Sequence, residues 1–498
     1  MQCRTFGILL LLLFPLFVNA EPLKLGTRRE LFVDGYVIDT GSLDNCELMI
    51  HRPADRGKVF QCRNERDRPY SMCFTTVIKD GRRYRLYYRT WPDAGKRTLA
   101  WRCAESADGI RWIRPNYGLC RSNGSVSNNI IISKPNNLAA FAPFIDTRPG
   151  IPVSQRYKAV ALAIGGKVRR LFAYASPDGI RWSLMSGKPV MDEHHDGLIT
   201  DHAALDSHNY AFYSETEGQY VMYLRDWKDG IRRIARTTSS DFLTWSACRL
   251  MEYRYADSLR HAYEHHYINS THPYFRAPHI YLAPAARLVL NSGGEITSRA
   301  EAGKMGISIS YYRKNKNHSS CSIFMTTRGN LVYDRLLPGR YIIPPRHVGK
   351  QMARSNFPGP CYVQTGPREL SLYVSHNYAS NLNHLRRYAL RLDGFGSLHA
   401  ENAEGEAVTR PLTFVGRHLY LNYRTGRGGS IRIELLDDKG TPLTGFTQAD
   451  AVPMTGDSID GIVSWKNGTD LSARTGIPVR IRFIMKNADI YSMRFGRE

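Results

Sequence analysis

A short turn phrase recurs along this chain, and its spacing constrains the fold more than any other feature. The copies SADGIRW, SPDGIRW and SSDFLTW end at Trp112, Trp182 and Trp245, at intervals of 70 and 63 residues. In this phrase the Asp carboxylate can accept hydrogen bonds from backbone amides two residues on, and the Trp can anchor the following strand. A degenerate fourth copy, MTTRGNLVY, ends at Tyr333. Recurrence of one strand–turn–strand unit at this spacing predicts a repeat architecture.

Each copy follows three short strand-like segments, which we denote A, B and C in chain order, and a fifth set of segments lies near residue 380. The B segments are rich in tyrosine; they are RRYRLYYRTW, QRYKAVALAI, GQYVMYLRDW, APHIYLAPAA and RELSLYVSHNY. Four-stranded units repeated radially are the blades of a β-propeller. Five A–B–C units, each with an outer strand D, therefore predict an all-β fold, a five-bladed β-propeller over about residues 60–400.

The segments that flank these units predict the domain organisation. After His399 the segments HLYLNYRT, GSIRIELLD, GIPVRIRFIM and IYSMRF alternate apolar and polar residues, which predicts a small C-terminal β-sandwich. Before the first unit, LFVDGYVID and ELMIHRP are expected to complete the outer part of a blade and close the ring. We therefore predict a signal peptide over residues 1–20, the propeller over 21–400 and the sandwich over 401–498.

The first twenty residues predict export. MQCR is a basic n-region, GILLLLLFPLFV an apolar h-region, and Val18-Asn19-Ala20 a small-residue cleavage site. No later stretch approaches the roughly 18 apolar residues of a spanning helix, so we expect a secreted or periplasmic protein with no membrane span. Nine cysteines occur and Cys3 leaves with the signal. The eight that remain permit disulfides, and their scatter without a CxxC pair predicts no metal site.

The chain is strongly basic, with a formal net charge of +23. Such a charge favours anionic partners such as an acidic polysaccharide, a cell-surface glycan or a nucleic acid. Because no run of Lys or Arg concentrates it, the charge also fits a role in solubility. Export counts against a nucleic-acid partner, so we predict none.

Several segments resemble a known superfamily. LFVDGYVID, APFIDTRPG with RYKAV, LDSHNYAFY, PYFRAPHIYL and LRLDGFGSLHA match the pattern of bacterial exported proteins with a family 32 N-terminal-like propeller. The predicted order of a propeller followed by a sandwich resembles the domain architecture of the superfamily of glycoside hydrolase families 32 and 43. The invertase-type NDPNG, RDP and EC signatures are missing from the chain. The resemblance therefore implies the fold and a glycosidase activity, and it transfers no catalytic role to a particular residue.

Propeller geometry selects among the carboxylates. The start of strand A and the end of strand B lie on one face near the axis, where a substrate cleft belongs. The predicted catalytic residues at strand-A starts are Asp206, Glu264 and Asp67. Asp206 precedes an inner strand with the polar cluster DSHN, and Glu264 lies among aromatics that could desolvate a proton donor. Each also fits a structural role: a capped loop Asp, a solvated Glu, and an Asp paired with neighbouring arginines.

Carboxylates in predicted turns belong on the opposite face. Asp146 falls in the A–B turn of the second unit, and Asp108, Asp178 and Asp241 belong to the turn phrase. We interpret all four as turn residues.

The same face offers polar and aromatic side chains that could bind substrate. The predicted set is Arg89, Trp91, Asn209, Arg225, Asp226, His272, Arg276, Asn356 and His376. Arginines can clamp a carboxylate or sulfate in a bidentate fashion, and a Trp can stack on a sugar ring. Structural ion pairs and core packing are the alternatives for these residue types.

Two functions fit these patterns. The first is a glycoside hydrolase that acts on an oligo- or polysaccharide, an anionic one included, by carboxylate acid/base catalysis with no cofactor. The alternative is a non-catalytic propeller that binds a glycan or a surface. Two spare carboxylates about 5–10 Å apart on the axial face would favour the enzyme, whereas aromatics and arginines alone would favour the binding protein.

Overall fold

The computed structural model describes residues 21–62, 72, 74–90, 99–122, 124–133, 138–164, 166, 168–199, 204–255, 258–260, 264–290, 298–336, 341–344 and 356–497. Four strands precede the first blade: β1 (Leu23–Gly26), β2 (Glu30–Leu31), β3 (Cys46–Ile50) and β4 (Ala54–Phe60). Short 3-10 turns occur at Thr40–Ser42, Val153–Gln155 and Ser472–Arg474.

Five sheets follow in chain order, and the pairing within them is antiparallel except for one parallel pair in the fourth. The first blade contains β5 (Thr76–Asp80), β6 (Arg83–Thr90), β7 (Ala100–Ser106) and β8 (Ile130–Ser133). The second contains β9 (Leu138–Ile145), β10 (Tyr157–Ala163), β11 (Arg170–Ser176), β12 (Ser183–Leu184) and β13 (Met191–Asp192). The third contains β14 (Tyr210–Ser214), β15 (Gln219–Lys228), β16 (Ile231–Ser239) and β17 (Arg249–Leu250).

The fourth blade is the largest. Its strands are β18 (Glu252–Tyr255), β19 (Ser258–Arg260), β20 (His265–Asn269), β21 (His272–Tyr274), β22 (Ala277–Val289), β23 (Ser319–Thr327) and β24 (Val332–Arg335). Two helices lie between β22 and β23: α1 (Arg299–Lys304) and α2 (Ile309–Asn315). Ser298 begins α1 with a capping box to Glu301. No helix of the described residues is long and apolar enough to cross a membrane.

The fifth blade closes the ring with a strand from the N-terminal region. It contains β25 (Phe357–Pro358), β26 (Val363–Gly366), β27 (Glu369–His376) and β28 (His384–Arg391), and β4 pairs antiparallel with β28 as the outer strand. The innermost strands contact each other in order around the axis, β5 with β9, β9 with β14, β14 with β21 and β26 with β5. The predicted five-bladed propeller is confirmed.

The remaining strands form a separate C-terminal sheet. They are β29 (Gly396–Ala400), β30 (Gly405–Val408), β31 (Leu412–Phe414), β32 (His418–Asp437), β33 (Asp457–Ile462) and β34 (Val479–Gly496). Apolar residues from both halves of β32 and β34 share one buried core, as the predicted sandwich requires. β1, β2 and β3 also belong to this sheet, through β31, β34 and β29. The expectation that LFVDGYVID and ELMIHRP complete a blade is therefore corrected, since only β4 does so.

The recurring phrase forms the turn that the sequence predicts. In the second copy, Asp178 Oδ1 accepts hydrogen bonds from the amides of Ile180 and Arg181, both at 2.8 Å. Gly179 has φ +74°, and a Cβ there would lie 2.7 Å from the hydroxyl of Tyr87, so both backbone and space require glycine. Trp182 then packs edge-on against Phe141 at 5.0 Å between ring centroids. The turn thus ties blade two to its neighbour.

We expect Asp178→Asn to lower the free energy of unfolding by about 0.5–2 kcal/mol, as loss of a helix cap does. Burial opposes ionisation, but the amides of Arg181 and Ile180 hold the pKa of Asp178 below its usual value. A lowered pKa stabilises the fold above about pH 4, and this contribution disappears as the pH falls further. Urea unfolding should therefore show a difference between variant and wild type at pH 7 that shrinks below pH 4. Asp438→Asn, at an exposed position, is the control. Its free energy of unfolding should equal that of the wild type both at pH 7 and below pH 4.

Three acidic side chains at the ends of inner strands each accept a hydrogen bond from a tyrosine of the next blade. The pairs are Asp80 with Tyr157, Asp146 with Tyr220 at 2.7 Å, and Glu217 with Tyr281 at 2.6 Å. A cation completes each group: Arg156, Lys158 and Arg236 respectively. We call these groups the interblade clasps. They join blades one to two, two to three and three to four.

Charged residues also join the propeller to the C-terminal sheet. Asp393, fully buried after β28, accepts hydrogen bonds from Tyr274 at 2.6 Å and from Ser492 at 2.7 Å. Arg328, in the turn after β23, bonds both Glu30 and Asp34. Blades four and five are thus fastened to the sheet that contains both ends of the described chain.

Candidate functional site

An aromatic cluster lies at the face where the inner strands begin. The rings of Tyr267 and Phe357 stack at 5.4 Å between centroids, and Tyr378 lies 5.6 Å from Phe357. Phe74, directly before the first inner strand, packs against the same cluster. Phe357 is buried, whereas Phe74, Tyr267 and Tyr378 are half-buried. We call these four residues the aromatic mouth; they come from or adjoin blades one, four and five.

Arginines surround the aromatic mouth. The guanidinium of Arg225 lies 4.6 Å from the ring centroid of Tyr267, and that of Arg89 lies 5.2 Å from the ring of Phe74. Arg232 lies 5.4 Å from Tyr267. These distances are those of cation–π contacts. Arg89 and Arg225 lie at the predicted face, but both are buried, and they bond the backbone carbonyls of Ala139 and Tyr267. Their role in substrate binding stays a prediction.

Asp206 is presented to solvent by a tight turn beside the aromatic mouth. Leu205 adopts φ +64°, and the Ser207 amide donates to the Leu205 carbonyl at 2.6 Å. Asn209 holds this turn, because its Nδ2 donates to the same carbonyl at 2.8 Å and its Oδ1 accepts from the Arg225 amide. Asp206 is exposed, and among the described residues its carboxylate has no hydrogen-bond or ion-pair partner. No described residue therefore blocks the approach of a substrate to its oxygens.

Ser207 connects this turn to the aromatic mouth. Its hydroxyl donates to the Tyr267 carbonyl at 3.2 Å and lies 3.4 Å from Arg225 Nη2. The residue after Asp206 therefore contacts both the aromatic and the basic parts of the site.

Asp146 lies at the other end of the inner strands, as the turn interpretation requires. It follows β9 directly, and its carboxylate is fully buried between Lys158 and Tyr220. Because inner strands run in one direction along the axis, Asp146 and Asp206 lie at opposite faces. Asp146 is a clasp residue.

The surroundings of Glu264 differ from those predicted, because its carboxylate contacts arginines rather than aromatic rings. Its carboxylate contacts Arg287 at 2.6 Å and also Arg335, with His266 at 4.0 Å. Two guanidinium groups occupy its oxygens, so they are not available to a substrate. Glu264 is a structural ion-pair residue that links the strands of blade four.

The predictions for His272 and Arg276 are wrong in position. The inner strand of blade four begins at His265, so His272 lies deep along the axis and Arg276 in the turn at the opposite face. Arg276 pairs there with Asp393 and Asp460, both at the C-terminal sheet. Neither residue can reach the aromatic mouth.

Three further predicted binding residues are buried, and each is engaged in hydrogen bonds within the fold. Asp226 accepts the amides of Ile199 and Trp227. Asn356 donates to the carbonyls of Ser320 and Pro344. His376 lies 3.2 Å from the Tyr388 hydroxyl.

Asp67 and Trp91 lie outside the described residues, so their predictions stay as stated. The sequence reasoning missed Phe74, Tyr267, Tyr378 and Arg232. Each lies within two residues of the start of an inner strand, the end of a B strand or the start of a C strand. The rule that selected Asp206 covers strand-A starts and strand-B ends, so its extension to every aromatic residue would have found Phe74, Tyr267 and Tyr378. Arg232 lies at a strand-C start, which the rule does not cover.

No family model and no curated protein matches the chain. Solved structures with a similar arrangement include one described as a glycoside hydrolase, with TM-score 0.44 and 12% identity over 68% of this chain and 92% of the other. A fructofuranosidase from Schwanniomyces occidentalis complexed with fructose has TM-score 0.39 and 11% identity, over 88% and 97% of the chains. An α-L-arabinofuranosidase from Fusarium graminearum has TM-score 0.37 and 12% identity, over 69% and 99%. At these scores the likeness carries no residue role or substrate to this chain.

Proposed function

We propose that the chain is an exported glycoside hydrolase that binds an anionic oligo- or polysaccharide at the aromatic mouth and uses Asp206 as a catalytic carboxylate. The observation that carries this proposal is the combination at one face of an exposed Asp206, three half-buried aromatic rings and the half-buried Arg232, with the buried Arg89 and Arg225 behind them. Aromatic rings can stack on the apolar faces of sugars, and arginines favour uronate carboxylates or sulfates. The basic net charge of the chain supports an anionic substrate.

The chemistry needs two carboxyl groups. One protonates the leaving glycosidic oxygen, and the other, ionised, attacks the anomeric carbon or activates water. Asp206, exposed to solvent at the edge of the mouth, suits the ionised role. We propose Asp67, which precedes the first inner strand in the sequence, as the second group.

The test is a comparison of neutral and anionic polysaccharides with the chain lacking residues 1–20. Released reducing ends measure hydrolysis, and calorimetric titration measures binding to the same panel. Release of reducing ends from an anionic glycan, lost in Asp206→Asn, would support the hydrolase. Absence of release from the whole panel would contradict it.

A non-catalytic glycan-binding propeller is the second candidate. The observation that favours it is that Asp226, Asp229 and Glu264, which also lie at this face, are all engaged, in amide hydrogen bonds or with arginine. Measurable binding of an anionic glycan without release of reducing ends would select this function.

We expect Tyr267→Ala to weaken binding of an anionic glycan about 5- to 30-fold, the effect of removing a central aromatic contact worth about 1–2 kcal/mol. The same binding should weaken as salt rises from 0.05 to about 0.5 M, because charges near the surface are screened. Phe275→Ala is the matched control, since Phe275 is 51% exposed at the opposite face. Equal loss of affinity in both variants, or none in Tyr267→Ala with its melting temperature unchanged, would contradict the placement of the site.

A further inference from the structure

A cavity opens at the end of the axis opposite the aromatic mouth. Its volume is about 490 Å³, within the range of about 300–1,000 Å³ that small-molecule sites occupy. All five blades contribute to its walls, through the inner strands β5, β9, β14, β21 and β26. The cavity is therefore a product of the whole ring rather than of one loop.

The walls are largely aromatic. Seven Phe and Tyr rings line the cavity: Tyr210 at its floor, and Phe144, Phe212, Tyr213, Tyr274, Phe275 and Tyr362 around it. Phe275 is 51% exposed at the rim, with its ring 5.0 Å from that of Tyr274. Aromatic walls favour an aromatic guest, because offset stacking and edge-to-face contacts add to the gain from apolar burial.

The floor of the cavity is neutral. Tyr210 and Cys361 meet there with their oxygen and sulfur 3.1 Å apart, and burial raises the pKa of the Cys361 thiol to about 11. His272 lies beside them, with Nδ1 2.7 Å from the Ser270 carbonyl and Nε2 accepting the Tyr362 amide. Burial lowers the pKa of His272 to about 4, so the ring is uncharged at neutral pH. The buried part of a guest meets no charge.

Charge is confined to the rim. Lys79 and Glu215 are both exposed at the ends of β5 and β14. A guest with an apolar body and one polar substituent would leave that substituent beside these groups, in contact with water. The lining shares no residue with the aromatic mouth, so the two sites are separate.

We propose that this cavity is a binding site for a small planar aromatic molecule that carries one polar or anionic substituent. The ring system lies between Phe144, Phe212 and Tyr362, and the substituent lies at the rim near Lys79. This site is independent of glycan hydrolysis at the other face.

The probe is 8-anilino-1-naphthalenesulfonate, which combines fused aromatic rings with one anionic group. Equilibrium dialysis against the chain lacking residues 1–20 should give saturable binding of one molecule per chain. Ile145→Trp places a larger side chain at a half-buried wall position and should weaken binding at least tenfold. Thr147→Phe, at an exposed position that also lines the cavity, is a second variant in case Ile145→Trp does not fold.

Val153→Trp is the matched control, because Val153 is 76% exposed and lies outside the cavity. It should bind the probe as wild type does, and Asp206→Asn should as well. Non-saturable binding, or equal affinity in wild type, Ile145→Trp and Thr147→Phe, would overturn the proposal. Loss of probe binding in Asp206→Asn would also contradict it, because the two sites would then not be separate.

Discussion

Asp206→Asn is expected to reduce hydrolysis of the true glycan by at least about 10²–10⁴-fold, the usual effect of removing a positioned acid or base. The amide is nearly isosteric with the carboxylate but has neither its charge nor its basicity. Because Asp206 is exposed and bonded to no described side chain, the fold should not change. Initial rates of reducing-end release measure the loss of activity, and the melting temperature of the same preparation measures the stability of the fold.

Asp229→Asn provides a matched control in the same blade. Asp229 is also exposed at this face, but it pairs with Arg233 at 3.4 Å. This variant should retain the wild-type rate within about twofold. Full activity in Asp206→Asn would show that Asp206 is not a catalytic residue.

Lys158→Met is expected to lower the free energy of unfolding by about 3–5 kcal/mol, which is the effect of leaving a buried charge without its partner. Lys158 and Asp146 are both fully buried, and the ammonium bonds the Asp146 carboxylate and the Tyr220 hydroxyl. Removal of the ammonium leaves the carboxylate with the Tyr220 hydroxyl and the Arg148 amide. Equilibrium unfolding in guanidinium chloride at pH 7 measures the change.

The double variant Lys158→Met with Asp146→Leu tests the cause. Replacing both partners of a buried ion pair by apolar residues is often close to neutral, so the double variant should recover much of the lost stability. A single-variant loss below about 1 kcal/mol, or a double variant less stable than Lys158→Met, would show that the clasp is not a buried ion pair of this kind.

The propeller was predictable because its signal is local. The first two turn phrases set their own geometry through Asp and Gly, and the set of A, B and C segments recurs in every blade. Partner choice for β3 was not predictable in this way. The alternation in ELMIHRP shows that it is a strand, but its partner β29 lies about 350 residues further along the chain. Nothing local to β3 distinguishes that partner from the edge of a blade.

The candidate site was predictable where one inner strand corresponds to one segment. Asp206 and Asn209 precede β14 directly, so strand direction placed them correctly. In blade four the long strand β22 pairs with two segments, β20 and β21, and the prediction used the second as the start. This choice displaced His272 and Arg276 to the wrong end. The arginines that occupy Glu264 come from β22 and β24, and no sequence pattern indicated them.

Closure of the ring by β4 bears on how the chain folds. Residues 54–60 are synthesised long before their partner β28, which spans residues 384–391. The same holds for β2, which pairs with the end of β34. Such pairings raise the contact order, and high contact order slows folding, because the entropy of closing a long loop is lost before the contact is gained. The fifth blade therefore cannot be completed, and the ring cannot close, until the chain has been synthesised through β28.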